Sequence, residues 1–252
     1  MSFLSLATVL TVLSAHLSSV HGHGNVQEIV ADGVTYSGYL PYQDPYMNPV
    51  PDRIMRKIPG NGPVEDVTLT DIQCNTGAEP AALFATIEAG TDLSLNWTTW
   101  PDSHVGPVIT YLAAVPSTES ITSYTPSSSD AVWFKIQEAG KTEDGLWAAT
   151  DILSKTNDVA SVTIPASLKP GQYIVRHEII ALHAAYTYPG AQFYPDCIQI
   201  EVTGCGDSLP DDSFLVSFPG AYTADTPGIV YDVYTNTSAY PIPGPALWNP
   251  DA

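Results

Sequence analysis

Positive charge is scarce in this chain. Eight Lys and Arg stand against 27 Asp and Glu, a formal charge of −19 over 252 residues. Such a field repels phosphate backbones and anionic lipid, so nucleic acid and membrane surfaces are excluded as partners. A neutral polymer meets no such repulsion, and mildly acidic surroundings would suit the carboxylates. Cysteine is scarce too: Cys74, Cys197 and Cys205 are all there are. In an oxidising compartment they allow one bridge and one leftover, and the spacing alone leaves the pairing open. A Cys74–Cys197 bridge would close a long loop and contribute about 4–5 kcal/mol in the chain-entropy account. Long hydrophobic runs are missing. The apolar stretch from Phe3 to about Leu13 is too short to span a bilayer. With Ser18, Ser19 and Gly22 after it, residues 1–22 read as a signal peptide, although no Lys or Arg precedes the run. The C-terminal Leu-Trp-Asn-Pro-Asp-Ala carries no tail for a lipid anchor. Residues 23–252 are therefore expected to be a secreted, soluble, monomeric single domain, with no Ser/Thr/Pro-rich linker to a second module.

Long amphipathic helices are absent as well; Glu65 to Asp71 and Leu146 to Leu153 could hold short helical turns. What the chain has is Pro, Gly and Tyr, at 22, 18 and 14 residues, between short alternating runs. Leu93, Leu95 and Trp97 alternate with Ser94 and Asn96. Val162 and Ile164 alternate with Ser161 and Thr163, and Ile198, Ile200 and Val202 with Gln199 and Glu201. Each run puts apolar groups on one face and polar groups on the other. Val108 to Val115 is a continuous apolar run, as expected of a buried strand. A turn at Ala166 to Gly171 feeds a further strand from Gln172. The fold class is all-β, a sandwich with long loops and few short helices. Tyr36 to Gly62 and Ala185 to Pro195 are long, aromatic loops of the kind that carry function. Phe214 to Trp248 reads as a proline-held extension that wraps the sandwich.

Of six histidines, His16 and His21 would leave with the signal. Cleavage after Gly22 makes His23 the first residue, with a free amine and an imidazole that can chelate one metal together. An internal histidine cannot do this, because its nitrogen is an amide. His104 lies in a loop, Trp100 to Pro107, that enters the strand from Val108. His183 ends the apolar run Ile179 to Leu182. Strand alternation places Gln192 and Tyr194 on one face. His177, taken alone, reads as structural. Glu178 could tempt one to propose a glycosidase acid, but that chemistry needs a second carboxylate roughly 5–10 Å away, and no motif nominates one; a pairing with Arg176 is the plainer reading. Two glycosylation sequons occur, at Asn96 and Asn236.

Several segments occur together in one order: His23-Gly24; Asp102 to Val108; Arg176-His177-Glu178-Ile179-Ile180-Ala181-Leu182-His183; Gly190 to Cys197; Phe218 to Tyr222; and Ile242 to Trp248. In these the chain resembles the fungal lytic polysaccharide monooxygenases of auxiliary activity family 9, formerly glycoside hydrolase family 61. The resemblance implies an immunoglobulin/fibronectin-like sandwich and one copper per chain, held by the amine and ring of His23 and the ring of His104, with Tyr194 axial. Elementary chemistry agrees, since nitrogen-rich tetragonal sites favour Cu(II) and an α-amine can lose its proton to a metal near neutrality. The resemblance further implies His183 and Gln192 as catalytic groups around the bound oxidant, a Cys74–Cys197 disulfide, and Tyr234 and Tyr240 on a flat substrate face, to which Tyr42 and Tyr46 could add. Where many relatives read His-His-Gly-Pro, this chain reads His104-Val105-Gly106-Pro107, which removes a spectator rather than a ligand. The implied reaction is oxidative cleavage of β-1,4-glucan, cellulose above all, at C1 or C4, with O2 or H2O2 and an external electron donor. No separate carbohydrate-binding module is expected. Two other readings stay open: a non-catalytic copper protein built on the same brace, and a zinc hydrolase, which would need a third hard ligand and a base.

Overall fold

The alternating segments pair into two sheets. The structure is a computed structural model and describes residues 23–251; the expected signal peptide, 1–22, lies outside the described residues. Chain order runs β1 (Val26–Ala31), β2 (Val34–Ser37), α1 (Asp71–Cys74), β3 (Ala85–Glu88), β4 (Asp92–Trp97), β5 (Val108–Ala114), β6 (Trp133–Ala139), β7 (Val159–Thr163), β8 (Gly171–Ala181) and β9 (Gln192–Thr203). One sheet is ordered β2-β1-β4-β7 and the other β3-β9-β8-β5-β6. Among the strands of the described residues, β3 and β9 pair in parallel and the other pairs are antiparallel. The β1–β2 hairpin closes on Asp32-Gly33, both with positive φ, as the favoured two-residue turn requires.

The alternating positions make the core between the sheets. Ile29, Leu93, Leu95, Trp97 and Val162 of one sheet meet Val175, Ile179, Ile198 and Ile200 of the other. Each such side chain contributes about 1.5–3 kcal/mol on burial. The opposite face of the five-stranded sheet is covered as well, by a second cluster of Ile109, Tyr111, Trp133, Ile174, Phe193, Phe218 and Tyr222. The alternation of β9 holds, with Ile198, Ile200 and Val202 in the inter-sheet core, and its polar face is covered rather than open. Gln199 is fully buried, and its amide clamps the backbone of Ala81 and Leu83 in the loop laid over that face. Alternation detects the polar row and cannot tell solvent from a loop that satisfies it.

Cys74 of α1 is bonded to Cys197 of β9, and Cys205 is free and exposed. Arg176 and Glu178 are wholly buried and paired with each other, with the guanidinium 3.9 Å from the Phe218 ring centre. Glu178 is thus a structural carboxylate. Helix forms at Asp71–Cys74 rather than from Glu65, while Ala148–Ile152 and Leu153–Thr156 do make helical turns. The extension expected from Phe214 returns to the sheet, where Val216 bridges Trp133 and Leu247 bridges Lys135.

Candidate metal centre

Three elements bring His23, His104 and Tyr194 to one end of the sandwich. The segment leading into β1 is stitched down residue by residue. Asn25 N–H donates to Thr98 Oγ1 and its carbonyl accepts from Thr98 N–H. Val26 N–H donates to the buried carboxylate of Asp196 at 2.7 Å. Gly24 passes so close to Trp100 that an added Cβ would lie 3.0 Å from the indole. His23 is half-buried, and its carbonyl accepts from Asn61 Nδ2.

His104 sits in the loop between β4 and β5. Its carbonyl accepts from Trp100 Nε1 at 2.9 Å, and its ring stands edge-on to that indole. Gly106, just beyond, is a required glycine, because a Cβ there would collide with the carbonyl of Ile180. The close approach presses the loop onto the end of β8, so the His104 and His183 rings lie 4.1 Å apart. Ser103 Oγ engages His104 Nδ1 at 3.0 Å; with Nδ1 occupied, Nε2 is the ring nitrogen left for a metal, the hydroxyl accepting from Nδ1–H when Nε2 ligates.

Tyr194 comes from β9. Its ring packs edge-on against Trp100, and its hydroxyl donates to Gln192 Oε1 at 3.0 Å, which leaves the phenol oxygen's lone pairs unspent. Ring centres of His23, His104 and Tyr194 form a near-regular triangle, with sides of 6.1, 6.1 and 6.5 Å. His183 Nδ1 is buried without a protein partner.

The electrostatics favour neutral, metal-ready groups. Burial lowers the His104 pKa to about 4, helped by the neighbouring His183 and His23. Burial and His23 lower that of His183. Burial, then the charge of Glu65, raises that of Tyr194 and keeps the phenol protonated. Among the described residues no group of three His, Cys, Asp or Glu side chains converges on one point. That donor set does not suit the zinc sites built from three or four such side chains. Two imidazoles and a phenol converge here, a donor set compatible with a metal that takes nitrogen ligands and a weak oxygen contact.

Tyr234 is exposed and its hydroxyl donates to the carbonyl of His183. Tyr42, also exposed, donates to Asn61 Oδ1, beside a shallow depression of about 600 Å³ that reaches His23. Tyr46 is exposed too. Tyr240 is a correction. It is buried against Trp147 and Tyr231, and its hydroxyl is spent on Gly228, so it lies on no exposed face; the irregular 228–241 segment folds its ring inward. Asn96 is half-buried in β4, paired on both sides. Asn236 lies in a surface loop with its Oδ1 accepting from Ser238. Sequence reading did not single out Ser103, Trp100, Asn61 or Glu65. Ser103 and Trp100 were within reach as neighbours of His104, whereas Asn61 and Glu65 join the site only through the fold.

The sequence profile of Auxiliary Activity family 9, formerly GH61, matches residues 23–240. The chain belongs to this family. It is similar to AA9 family lytic polysaccharide monooxygenase B of Gloeophyllum trabeum, 61% identical over 91% of this chain and 92% of that one. Among solved structures, it is similar to the extended catalytic domain of LPMO9A from H. jecorina, with a TM-score of 0.80, 35% identity, and 89% and 90% of the two chains covered. A cellulose-active polysaccharide monooxygenase from M. thermophila superposes with a TM-score of 0.76, at 31% identity over 90% and 99% of the two chains. The chain is therefore an enzyme, a polysaccharide monooxygenase of a copper-dependent family. The family's fold, an immunoglobulin-like sandwich, is the one described above. No helix among the described residues is long and apolar enough to cross a membrane.

Proposed function

We propose that this chain is a secreted monooxygenase that cleaves cellulose chains oxidatively at C1 or C4, working as a monomer with one copper ion. Cleavage after Gly22 would free the amine of His23, and residues 23–252 would form the single catalytic domain without a carbohydrate-binding module. The observation that carries this reading is the triangle of His23, His104 and Tyr194, whose first member is also the first residue the family profile matches.

The His23 amine and ring and the His104 ring would hold the metal, with the Tyr194 phenol beside it. Bound copper would supply one-electron chemistry between an external reductant and O2 or H2O2. The protein's part is to bind, orient and exclude. Trp100 packs behind both His104 and Tyr194 and keeps water from that side. The His183 ring, 4.1 Å from that of His104, would be the group placed to hold or give a proton at the site. Gln192 takes the Tyr194 proton in a hydrogen bond and so aims the phenol oxygen inward. Exposed Tyr234 and Tyr42 lie on opposite sides of the histidines along the chain of contacts Tyr234–His183–His104–His23–Asn61–Tyr42. Two aromatic faces flanking one centre suit an extended glucan lying across it. The M. thermophila relative is cellulose-active, which supports that substrate. Asn236 is the sequon best presented for glycan attachment.

The test incubates mature, copper-loaded protein with cellulose and ascorbate and examines the products by mass spectrometry. Aldonic acids or C4-oxidised sugars are expected. Copper binding without oxidised products across several glucans would overturn the reading in favour of a non-catalytic copper protein.

A further inference from the structure

We propose that Glu65 is a positioning residue of this centre: its carboxylate sets the direction of the Gln192 amide, and through it the direction of the Tyr194 hydroxyl. The proposal rests on the copper reading above for its consequence, though not for its geometry. Glu65 is 127 positions from Gln192 in sequence, and the fold makes the two cross-strand neighbours. Val64 and Phe193 form an antiparallel bridge, each N–H donating to the other's carbonyl at 2.7 and 2.9 Å. In an antiparallel pair the residue after one partner opposes the residue before the other, so Glu65 faces Gln192.

The chemistry then runs in one direction. An ionised carboxylate only accepts, so it takes the NH2 end of the amide. Gln192 Nε2 donates to Glu65 Oε1 at 3.4 Å, and Gln192 Oε1 accepts from Tyr194 at 3.0 Å. The carboxylate holds the amide nitrogen, the amide oxygen faces the phenol, and the phenol, having donated its hydrogen to the amide, keeps its lone pairs free. Without Glu65 the amide is free to reverse. Its NH2 would then face Tyr194, the phenol would accept rather than donate, and its hydrogen would turn toward the metal position. A 190 Å³ cavity lined by Glu65, Ala184, Pro189, Gly190, Ala191 and Gln192 lies beside the amide, and Glu65 is the one protein acceptor on Nε2 among the described residues.

Three variants test this: Glu65→Ala, Glu65→Gln and, as a control for surface charge, Asp66→Asn. Asp66 is the adjacent exposed carboxylate and turns away to Thr68. In the metal-free protein the Gln192 side-chain amide resonances should shift in Glu65→Ala and stay in place in Asp66→Asn. With Cu(II) bound, the electron paramagnetic resonance spectrum should change in Glu65→Ala alone. Oxidative turnover should fall by about tenfold, the low end for groups that orient a metal's surroundings. Glu65→Gln keeps an acceptor but adds a donor, so it should fall between. Glu65→Ala matching Asp66→Asn in both spectra would overturn the proposal. An amide that moves while the copper spectrum does not would overturn the link to Tyr194. Should the unsubstituted protein fail to bind copper, the copper reading falls, and the metal-free resonances still decide whether Glu65 orients Gln192.

Discussion

His104 is prepared at one nitrogen for what happens at the other. Ser103 Oγ holds Nδ1, Trp100 holds the ring's edge and carbonyl, and Gly106 lets the loop seat on β8. Ser103→Ala should therefore leave the ring in place but remove the acceptor for Nδ1–H in the metal-ligating form, weakening Cu(II) affinity by about tenfold, as loss of outer-shell partners of histidine ligands commonly does. His104→Ala should abolish tight binding while the thermal midpoint of the metal-free protein stays near that of the parent. Titration against a copper-competing chelator reads both; an unchanged affinity in Ser103→Ala would mean that Trp100 alone orients the ring. One residue added before His23 should weaken binding as severely as His104→Ala, because the amine becomes an amide. At this scale the sequence carried a good deal. The shared face of Gln192 and Tyr194 follows from a period of two and is what the hydrogen bond between them shows. Tyr240 misled, because an aromatic in a proline-rich tail gives no local sign of which way it turns. Glu65 was read only as part of a helical turn, since its neighbour is set by a bridge between distant segments.

Strands β8 and β9 carry the site on one end and a buried titratable pair in their middle. Their register opposes His177 to Asp196. Burial, and then Arg176, pushes His177 down to about 3, while burial pushes Asp196 up to about 7 despite its bond from Val26. The signs oppose. Unfolded histidine takes a proton below about pH 6.5 that folded His177 refuses until about 3, so its stability contribution is lost as pH falls through that window. Folded Asp196 keeps a proton that the unfolded carboxylate gives up above about pH 3.9, so its contribution is lost as pH rises toward about 7. Each slope is at most about 1.4 kcal/mol per pH unit, and between roughly pH 4 and 6.5 they offset. Stability should be nearly flat there. His177→Gln should tilt it toward acid and Asp196→Asn toward neutrality, as read by urea midpoints at several pH values; parallel profiles for all three proteins would contradict the assignment. Period-two runs marked β4, β7 and β9, a continuous apolar run marked β5, and a turn signal marked the start of β8. They passed over β1, β2, β3 and β6, whose short or mixed runs take their order from hairpin closure and from pairing with distant strands. The alternation in β9 separated its two faces, and only the fold shows that Gln199 bonds the backbone of a covering loop.

The whole molecule is a five-stranded sheet buried on both faces, by a second sheet and by loops with little regular structure. Such loops pack well only if something limits the freedom they would regain on unfolding. The Cys74–Cys197 bond does this across 123 positions, a span for which the chain-entropy account gives about 5 kcal/mol. It joins the loop side of the molecule to β9 next to Pro195 and Asp196, yet β9 also has eleven paired positions with β8 and loop bridges at Met55 and Val64. Stability and local geometry should therefore separate. Cys74→Ala with Cys197→Ala should lower the thermal midpoint by about 10–20 °C, since 1 kcal/mol shifts a domain of this size by about 2–4 °C. Well below that midpoint the same variant should keep the copper spectrum of the parent, because Tyr194 is still placed by the ladder. Calorimetry and electron paramagnetic resonance on one preparation check the two halves. A fall of only a few degrees would mean that the loops are ordered by their own packing rather than by the bond. An altered copper spectrum well below the midpoint would mean that the bond, and not the β8–β9 register, holds Tyr194 at the centre.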